Sequence, residues 1–327
     1  MNHKSLILDA LDKLRKEEIA NKEPWKAKAY SGAIKAIAAF DKSIETAEDV
    51  KDLKGIGKSI YAKIEEIIET GKLKRLEDYN TDGKIKMIED LTRIHGIGPA
   101  KAKELVDKHN IKNIQDLENN LELLNDKQKI GIKYYKDFEL RIPRAEMVKQ
   151  DDYLKSIITK IDPKLIVEVV GSYRRKAKDS GDIDILIKHL DDPEDHDDII
   201  KNIVEKLKKE KYLIDDFALG GKKYLGICRL KRHRHFRRID MLFTTANEFP
   251  FAQLYFTGSK EFNVVLRNIC LSKNLSLSEY GLKHLSGPKK GEFIDETFHT
   301  EEEILNYLGY KYVPPEKRTN TLKDFKI

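Results

Sequence analysis

Cysteine and long hydrophobic runs are scarce in this 327-residue sequence. Its two cysteines, Cys228 and Cys270, lie far apart, which argues against a disulfide framework and for a reducing compartment. No stretch approaches the roughly 20 apolar residues that cross a bilayer, and the polar segment after Met1 has no apolar core of signal-peptide length. The sequence therefore predicts a soluble, intracellular protein without a membrane partner.

The charge balance of the chain decides little by itself. Lys and Arg total 62 against 56 for Asp and Glu, a formal charge of +6, and 36% of the residues are charged. A basic excess fits a nucleic-acid partner where the basic residues cluster, because they neutralise phosphates. A well-solvated surface explains the same numbers equally well.

The distribution of apolar residues predicts a helical first half and a mixed second half. Helical periodicity is interrupted at residues 78–84, which predict a linker, and again at 141–144. Short β-branched runs then predict strands, and helical stretches lie between and after them. The predicted strands are 165–170, 183–187, 224–230 and 239–243, and the predicted helices are 199–207, 261–271 and 301–308. The fold class is thus multidomain α+β, with helical N-terminal domains before a mixed sheet with helices.

One short motif occurs twice in the helical half. An apolar-Gly-apolar-Gly turn opens a helix at Gly55 and Gly57 and again at Gly96 and Gly98, and lysine follows in each next turn. Such glycines allow a tight turn, and the exposed N–H groups of the following helix can bind a phosphate. A plain tight turn is the alternative for either copy alone, but the repetition favours phosphate binding.

The strongest chemical signal is a set of three aspartates. Asp182 and Asp184 alternate with isoleucines on a predicted strand, so both carboxylates project from one face. Asp240 stands between apolar residues on another predicted strand and can join them. Solvated aspartates at a sheet edge are the alternative, but Gly171 and Ser172 precede the pair, and Gly-Ser followed by Gly-Asp-x-Asp resembles the nucleotidyltransferase superfamily.

Three converging carboxylates suit a pair of Mg²⁺ ions, which in such sites lie roughly 3.5–4 Å apart. Two such ions clamp an in-line phosphoryl displacement, in which the protein supplies positioning and charge neutralisation. Ser172 and Arg175 precede the carboxylates and are suited to bind the β- and γ-phosphates of a nucleotide.

Further motifs narrow the resemblance to one family. Tyr255, Phe256 and Gly258 are followed by Asn263 and Arg267, and a Val-Pro-Pro-Glu-Lys-Arg segment spans residues 313–318. Together with the two glycine hairpins and the aspartates, the whole chain resembles the DNA polymerase β family (family X). The resemblance implies a lyase-like domain at 1–80, a DNA-binding subdomain at 81–143, a catalytic palm at 144–254 and a nucleotide-binding subdomain at 255–327.

The resemblance also implies an activity and its partners. The expected reaction is template-directed filling of short gaps during base excision repair. A monomer would act on gapped or nicked double-stranded DNA with deoxynucleoside triphosphates. Two Mg²⁺ ions would be held by Asp182, Asp184 and Asp240, and Mn²⁺ is expected to substitute. Keeping Tyr255 and Phe256, together with a short connection at 230–237, favours templated addition of deoxynucleotides.

Site residues follow from the same resemblance. Those expected to bind the nucleotide are Arg141, Ser172, Arg175, Ser180, Gly181, Tyr255, Phe256, Gly258 and Asn263. Those expected to contact DNA are Lys26, Tyr30, Gly55, Gly57, Lys58, Gly96, Gly98, Arg238 and Arg267. Na⁺ or K⁺ would bind the hairpin carbonyls of Lys51, Leu53 and Ile56, and of Thr92, Ile94 and Ile97. Lys260 departs from relatives that have an acidic or small residue beside the incoming base.

A second activity is implied for the N-terminal helices, which resemble the family's deoxyribose-phosphate lyase. The register places the Schiff-base lysine at Lys63, whose amine must be neutral to attack an aldehyde. Lys26 and Tyr30 match positions that assist this pocket. Ser59 stands where relatives have a phosphate-binding lysine, which Lys58 could replace, and Trp25 stands where a relative has histidine.

Alternatives stay open for several features. The basic run at residues 231–238 favours a DNA-backbone contact over a solvated turn, and the acidic run at 191–198 favours a solvated loop over a metal site. Rival functions are a template-independent or RNA-directed nucleotidyltransferase and a noncatalytic DNA-end scaffold. The compartment, whether nuclear, cytoplasmic or viral, stays undecided.

Overall fold

The computed structural model describes residues 2–21, 23–76, 84–193 and 197–327. The predicted linker lies outside these residues except for Lys84, as do residues 194–196 of the predicted acidic loop. Contacts divide the chain into two compact units, Met1–Tyr135 and Lys136–Ile327. No helix in the described ranges is both long and apolar enough to cross a membrane.

The first unit is built from helices around two apolar cores. Ile7, Leu11 and Leu14 recur on one face of the first helix and are fully buried, whereas Leu8 is only partly so. A second core includes Leu91 and Leu105. The helices are α1 (Lys4–Ala20), α2 (Pro24–Ala39), α3 (Lys58–Thr70), α4 (Lys84–Thr92), α5 (Pro99–His109), α6 (Ile114–Glu118) and α7 (Asp126–Lys133), with 3₁₀ turns at Ala47–Val50 and Leu121–Leu123.

The second unit opens on α8 (Tyr135–Phe138), which begins at the boundary, and contains a five-stranded sheet. Its strands are β2 (Leu165–Val169), β4 (Ile183–His189), β5 (Leu213–Leu219), β6 (Lys223–Cys228) and β7 (Arg237–Phe243). They lie in the order β2, β4, β7, β6, β5 across the sheet. Strands β4 and β7 run parallel, and the other neighbours are antiparallel. A separate two-stranded ladder joins β1 (Ile142–Pro143) to β3 (Asp179–Ser180).

Both faces of the sheet are covered. One face packs against α9 (Arg144–Ile161) and α11 (Asp197–Lys209) in the largest apolar core. Leu186 and Leu242 lie in a smaller cluster with Phe249 and Ala252, the latter two on α12 (Phe249–Thr257). The carboxylate-bearing strands therefore lie in the middle of a sheet that is packed from two sides, where their backbone is rigid.

The C-terminal part folds around its own core. It consists of α13 (Lys260–Ser272), a β8–β9 hairpin (Leu275–Ser278 and Gly281–His284), α14 (Glu301–Tyr307) and 3₁₀ turns at Pro315–Lys317 and Lys323–Phe325. Leu266, Ile304 and Val313 are fully buried there. The predicted fold class is confirmed, whereas the division into four domains stays a prediction.

Candidate active site

The three aspartates lie on the two parallel strands at the centre of the sheet. Asp184 on β4 pairs in register with Asp240 on β7, and Asp182 directly precedes β4. Ile183, Ile185 and Ile187 are buried on the opposite face. Strand alternation thus brings the carboxylates to one face.

The protein environment makes this concentration of negative charge unfavourable. Burial, and then the neighbouring Asp182 and Asp240 carboxylates, raise the pKa of Asp184 well above its ordinary value. Burial also raises the pKa of Asp240, against the opposing effect of Lys223. Among the residues that the structure describes, none hydrogen-bonds to the buried Oδ1 atom of Asp240. A buried acceptor without a donor is costly, so the site favours a cation near these oxygens.

Two protein cations partly meet that demand. Arg238 Nη2 lies 3.0 Å from Asp182 Oδ2, and Lys223 Nζ lies 3.4 Å from Asp240 Oδ2. Within the described ranges, no three His, Cys, Asp or Glu side chains form a ready-made metal-binding group. The donors present are carboxylate oxygens, which suit Mg²⁺, but a metal would have to replace Arg238 and Lys223 as their partners.

A glycine turn lies directly against the carboxylates. Gly171 has φ +58°, and a Cβ built there would lie 2.1 Å from Asp184 Oδ2. The Val170 N–H donates to the Asp184 carbonyl at 2.9 Å, which fixes the turn to β4. Only glycine therefore fits at this position beside the Asp184 side chain.

The predicted phosphate-binding residues form a rim around this turn. The short helix α10 (Gly171–Arg174) carries Ser172, whose Oγ donates to Ser180 Oγ at 2.8 Å. Arg175 donates to the Thr257 carbonyl, and burial lowers the pKa of its guanidinium. Together these contacts bring Ser172, Ser180 and Arg175 to the aspartate face of the sheet.

The predicted sugar and base contacts lie at the junction of α12 and α13. The rings of Tyr255 and Phe256 meet edge to face, with centroids 5.4 Å apart. Asn263 Nδ2 donates to the Tyr255 carbonyl at 2.7 Å, and the Arg267 guanidinium lies 5.1 Å from the Tyr255 ring centroid. Gly258 has φ +66° between the two helices. The five residues therefore form one contiguous cluster.

Four family models match successive parts of the chain. A helix-hairpin-helix domain matches residues 2–73, and the fingers domain of DNA polymerase lambda matches 89–139. The DNA polymerase beta palm matches residues 141–246 and the DNA polymerase beta thumb matches 252–319. The chain belongs to the DNA polymerase β family.

Named relatives agree with this membership. The chain is 31% identical to DNA polymerase lambda of Rattus norvegicus over 97% of its length, and 31% identical to that of Arabidopsis thaliana over 89%. It covers 56% and 57% of those two proteins, so it spans just over half their length. It is also 25% identical to a Xenopus laevis DNA nucleotidylexotransferase, covering 96% of this chain and 68% of that protein.

The two glycine hairpins of this family member have the same backbone geometry. Gly55 and Gly96 have φ +103° and +88°, and Gly57 and Gly98 both have ψ 170°. In the first hairpin the Ile56 N–H donates to the Leu53 carbonyl at 3.0 Å, and Ile97 donates to Ile94 in the second at the same distance. Leu53, Ile56, Ile94 and Ile97 are four of the six residues whose carbonyls are predicted to bind a monovalent cation, and the other two are Lys51 and Thr92. Their role stays a prediction.

The first hairpin borders a pocket of about 740 Å³, which is lined by residues predicted for the lyase. Lys63 Nζ donates to Ser59 Oγ at 2.9 Å and to the Ser59 carbonyl at 3.0 Å. The other predicted residues in its lining are Lys26, Tyr30, Gly55, Ile56, Gly57 and Lys58. Trp25 is 76% exposed on α2, with Lys28 Nζ 5.7 Å from its ring centroid.

Several partners of these sites were not predicted from the sequence. Arg75 lines the lyase pocket and binds both Glu17 and Glu18, at 2.9 and 2.7 Å. Lys223 beside Asp240 sits at the first position of β6, and its place opposite β7 could have been found only from the strand register.

One further unpredicted group is buried beside Arg174. Glu301 accepts hydrogen bonds from Arg174 and Arg318, both at 2.8 Å, and Arg174 also donates to the Thr257 hydroxyl. Burial alone would raise the pKa of Glu301, but the bonds from Arg318 and Arg174 offset it, so that pKa lies below its ordinary value. This network fixes α10 to α14 and α12.

The basic run at 231–238 divides in the structure. Arg237 is 3% exposed and makes a bidentate pair with Glu146, at 2.9 and 2.8 Å. His235 Nδ1 lies 2.8 Å from Asp137 Oδ1. The expectation that the run contacts a DNA backbone is therefore wrong for Arg237, because its guanidinium is enclosed and already paired.

Proposed function

We propose that this protein is a template-directed DNA polymerase that fills short gaps in double-stranded DNA during base excision repair, acting as an intracellular monomer. The observation that carries the proposal is the pairing of Asp184 with Asp240 across two parallel strands, with Asp182 two residues before Asp184. Membership of the DNA polymerase β family supports the same activity.

In this proposal Asp182, Asp184 and Asp240 hold two Mg²⁺ ions, which Mn²⁺ can replace. The all-oxygen donor set and the unpartnered Asp240 Oδ1 favour such hard cations. The metal pair would supply a lowered pKa for the primer 3′-hydroxyl and charge neutralisation of the triphosphate. The chain's own part is to hold the carboxylates rigidly at the centre of a sheet.

Other residues would bind and orient the nucleotide. Ser172, Arg175, Ser180, Gly181 and Arg141 would contact the triphosphate. Ser172 of the glycine turn contacts Ser180, and the Arg141 guanidinium lies over Gly181, next to Asp182. Tyr255 and Phe256 would lie against the deoxyribose, Gly258 would allow close approach, and Asn263 would reach the base. Arg267 would contact the template strand, and Arg238, released from Asp182, would bind near the primer end.

The glycine hairpins would bind the DNA backbone without reading sequence. Gly55, Gly57 and Lys58 would contact one side of the gap, and Gly96 and Gly98 the other, because helix N-termini favour phosphate. Na⁺ or K⁺ would bind the carbonyls of Lys51, Leu53 and Ile56, and of Thr92, Ile94 and Ile97. Their matching backbone geometry favours one function for both turns.

The activity is tested by primer extension on a one-nucleotide gapped duplex with Mg²⁺. Replacing Asp240 with Ala should lower templated addition by more than about a hundredfold. Loss of a residue that only hydrogen-bonds to a metal ligand lowers activity by up to about a hundredfold, and loss of the ligand itself should cost at least as much. Addition that ignores the template base would favour an activity like that of the nucleotidylexotransferase relative. Gap binding without any addition would favour a noncatalytic DNA-end scaffold.

We also propose 5′-deoxyribose-phosphate lyase activity through Lys63. Lys63, Lys26 and Tyr30 line one pocket, in which Lys58 would bind the 5′-phosphate. The test is borohydride trapping on an incised abasic site. A covalent adduct that disappears in Lys63→Ala and persists in Lys74→Ala, a substitution outside the pocket, supports the proposal. An adduct that survives Lys63→Ala would contradict it.

A further inference from the structure

Arg141 has a partner that holds it beside the aspartates. Its Nε donates to Asp179 Oδ1 at 2.7 Å, and its Nη2 donates to the Asp179 carbonyl at 3.3 Å. A Cβ on Gly181 would lie 2.8 Å from Arg141 Nη1, so the guanidinium lies directly over this glycine. In the part of the chain that the structure describes, Nη1 has no protein acceptor.

The local fold explains this arrangement. The β1–β3 ladder pairs Ile142 with Ser180 and Pro143 with Asp179, so Arg141 comes next to Gly181 when the register is continued by one residue. Gly181 directly precedes Asp182. The two-stranded ladder therefore carries Arg141 to the edge of the carboxylate cluster.

The contact with Asp179 matters because Arg141 is otherwise free to move. Its side chain is 58% exposed, whereas that of Asp179 is 26% exposed. An exposed arginine side chain samples many rotamers, and this conformational freedom is lost when it binds a ligand. Asp179 accepts hydrogen bonds from Nε and Nη2 of Arg141, and these bonds hold Nη1 in one position where an incoming anion can bind it.

We propose that Asp179 is a positioning residue for nucleotide binding, which pre-orients Arg141 so that Nη1 meets the triphosphate of the incoming deoxynucleotide. This inference rests on the proposed polymerase function. Asp179 touches neither nucleotide nor metal in this arrangement. Its effect passes through Arg141 and is therefore on nucleotide affinity rather than on the chemical step.

Two variants of Asp179 separate positioning from simple charge. Asp179→Ala removes the acceptor and the charge, whereas Asp179→Asn removes the charge and keeps an acceptor oxygen for Arg141 Nε. Loss of the carboxylate charge favours an anionic nucleotide equally in both variants. The difference in affinity between Ala and Asn therefore reports positioning alone.

The measurement is the Kd of dTTP with Mg²⁺ on a one-nucleotide gap opposite adenine, with a dideoxy-terminated primer, alongside KM and kcat on an extendable primer. We expect Asp179→Ala to bind dTTP about threefold to fivefold more weakly than Asp179→Asn, which is within the range expected for the loss of one hydrogen bond. We expect kcat to be unchanged. Asp191→Ala, which breaks an exposed pair with Lys164, is the matched control and should leave the Kd unchanged.

The outcomes are distinguishable. Equal affinity of the Ala and Asn variants, or tighter binding by Asp179→Ala than by Asp179→Asn, would overturn the inference. The difference between the two variants should vanish in an Arg141→Ala background, because coupled residues are non-additive. If the wild-type protein extends no primer, the proposed polymerase itself fails. Gap binding and thermal melting of each variant show whether it is folded.

Discussion

At the scale of single residues, the absence of one methyl group shapes the candidate site. Gly171 combines a left-handed backbone with a position in which a Cβ would overlap Asp184 Oδ2. An alanine there must move either the turn or the carboxylate. The glycine is thus a requirement of the site as well as of the turn.

We therefore expect Gly171→Ala to reduce gap filling more than tenfold. The left-handed conformation costs an L-residue roughly 1–2 kcal/mol, and the clash displaces Asp184. Gly287→Ala is the matched control, since Gly287 has φ +80° and a Cβ built there would have nothing within 4 Å. That variant should lose similar stability and retain extension. Equal activity of both variants would show that the Asp184 contact is unimportant.

Another prediction at this scale concerns pH and Glu301. Because the pKa of Glu301 is lowered in the folded state, its pairs with Arg174 and Arg318 contribute fully to the free energy of unfolding when the pH is above the ordinary glutamate pKa. The contribution is lost as pH falls through the lower pKa of the folded state. Glu301→Gln should lower the free energy of unfolding at pH 7 by about 3–5 kcal/mol, as expected when one member of a buried network is removed.

Urea unfolding from pH 7 to pH 3 checks this prediction. The difference between wild type and Glu301→Gln should shrink as the pH drops, because the wild-type carboxyl becomes protonated. Glu316→Gln is the control, since the pair between Glu316 and Lys176 is exposed to solvent. A difference between wild type and Glu301→Gln that is independent of pH would contradict the assignment.

At the scale of secondary structure, the sequence predicted the elements that carry strong local signals. The aspartate strands, the glycine hairpins and the helical character of the first unit were recognised from alternation, turn residues and periodicity. Strand β5 was missed because Asp215 and Asp216 interrupt its apolar pattern and its pairing with β6 is irregular. Boundaries differed by a few residues, as at β4, which continues to His189.

Partners that are distant in the sequence could not be predicted. Arg174 and Glu301 are 127 residues apart, and no local pattern connects them. Lys223 likewise meets Asp240 only because β6 and β7 pair in one register. The carboxylates of the candidate site were therefore predictable from the sequence, whereas Lys223, one of the two cations beside them, was not.

The two glycines of the first hairpin have different structural roles, which gives a prediction at this scale. A Cβ on Gly55 would lie 3.3 Å from the Gly32 carbonyl carbon, and Gly55 has φ +103°. Gly57 has extended geometry, and a Cβ on it would have nothing within 4 Å. Gly55→Ala should therefore lower the melting temperature. Gly57→Ala should leave the melting temperature unchanged and weaken the binding of gapped DNA, because its methyl group would block the approach of a phosphate to that backbone.

Thermal melting and fluorescence anisotropy with gapped DNA measure the two effects. Gly98→Ala should behave like Gly57→Ala, because the second hairpin has the same geometry and open space at that glycine. Unchanged DNA binding by both variants would contradict close approach of phosphate to these turns.

At the scale of the whole molecule, the proposed activities lie in different compact units. Lys63 is in Met1–Tyr135, and the three aspartates are in Lys136–Ile327. We therefore expect Lys63→Ala to abolish borohydride trapping and retain extension, and Asp240→Ala to do the reverse. Both assays on the same gapped substrate check this separation. Loss of both activities in either variant would indicate that the units depend on each other.

The pairing of Arg238 and Lys223 with the aspartates has a further consequence. Arg238 and Lys223 act as counterions of the aspartate cluster, and Arg175 bears a further positive charge nearby. Without metal, the site therefore presents little net negative charge to an approaching polyanion, so DNA is not repelled from it. Binding of divalent ions is therefore an exchange, in which metal replaces the Lys223 ammonium and the Arg238 guanidinium as partners of the carboxylates. The two displaced cations are then available to the phosphates of the bound substrate.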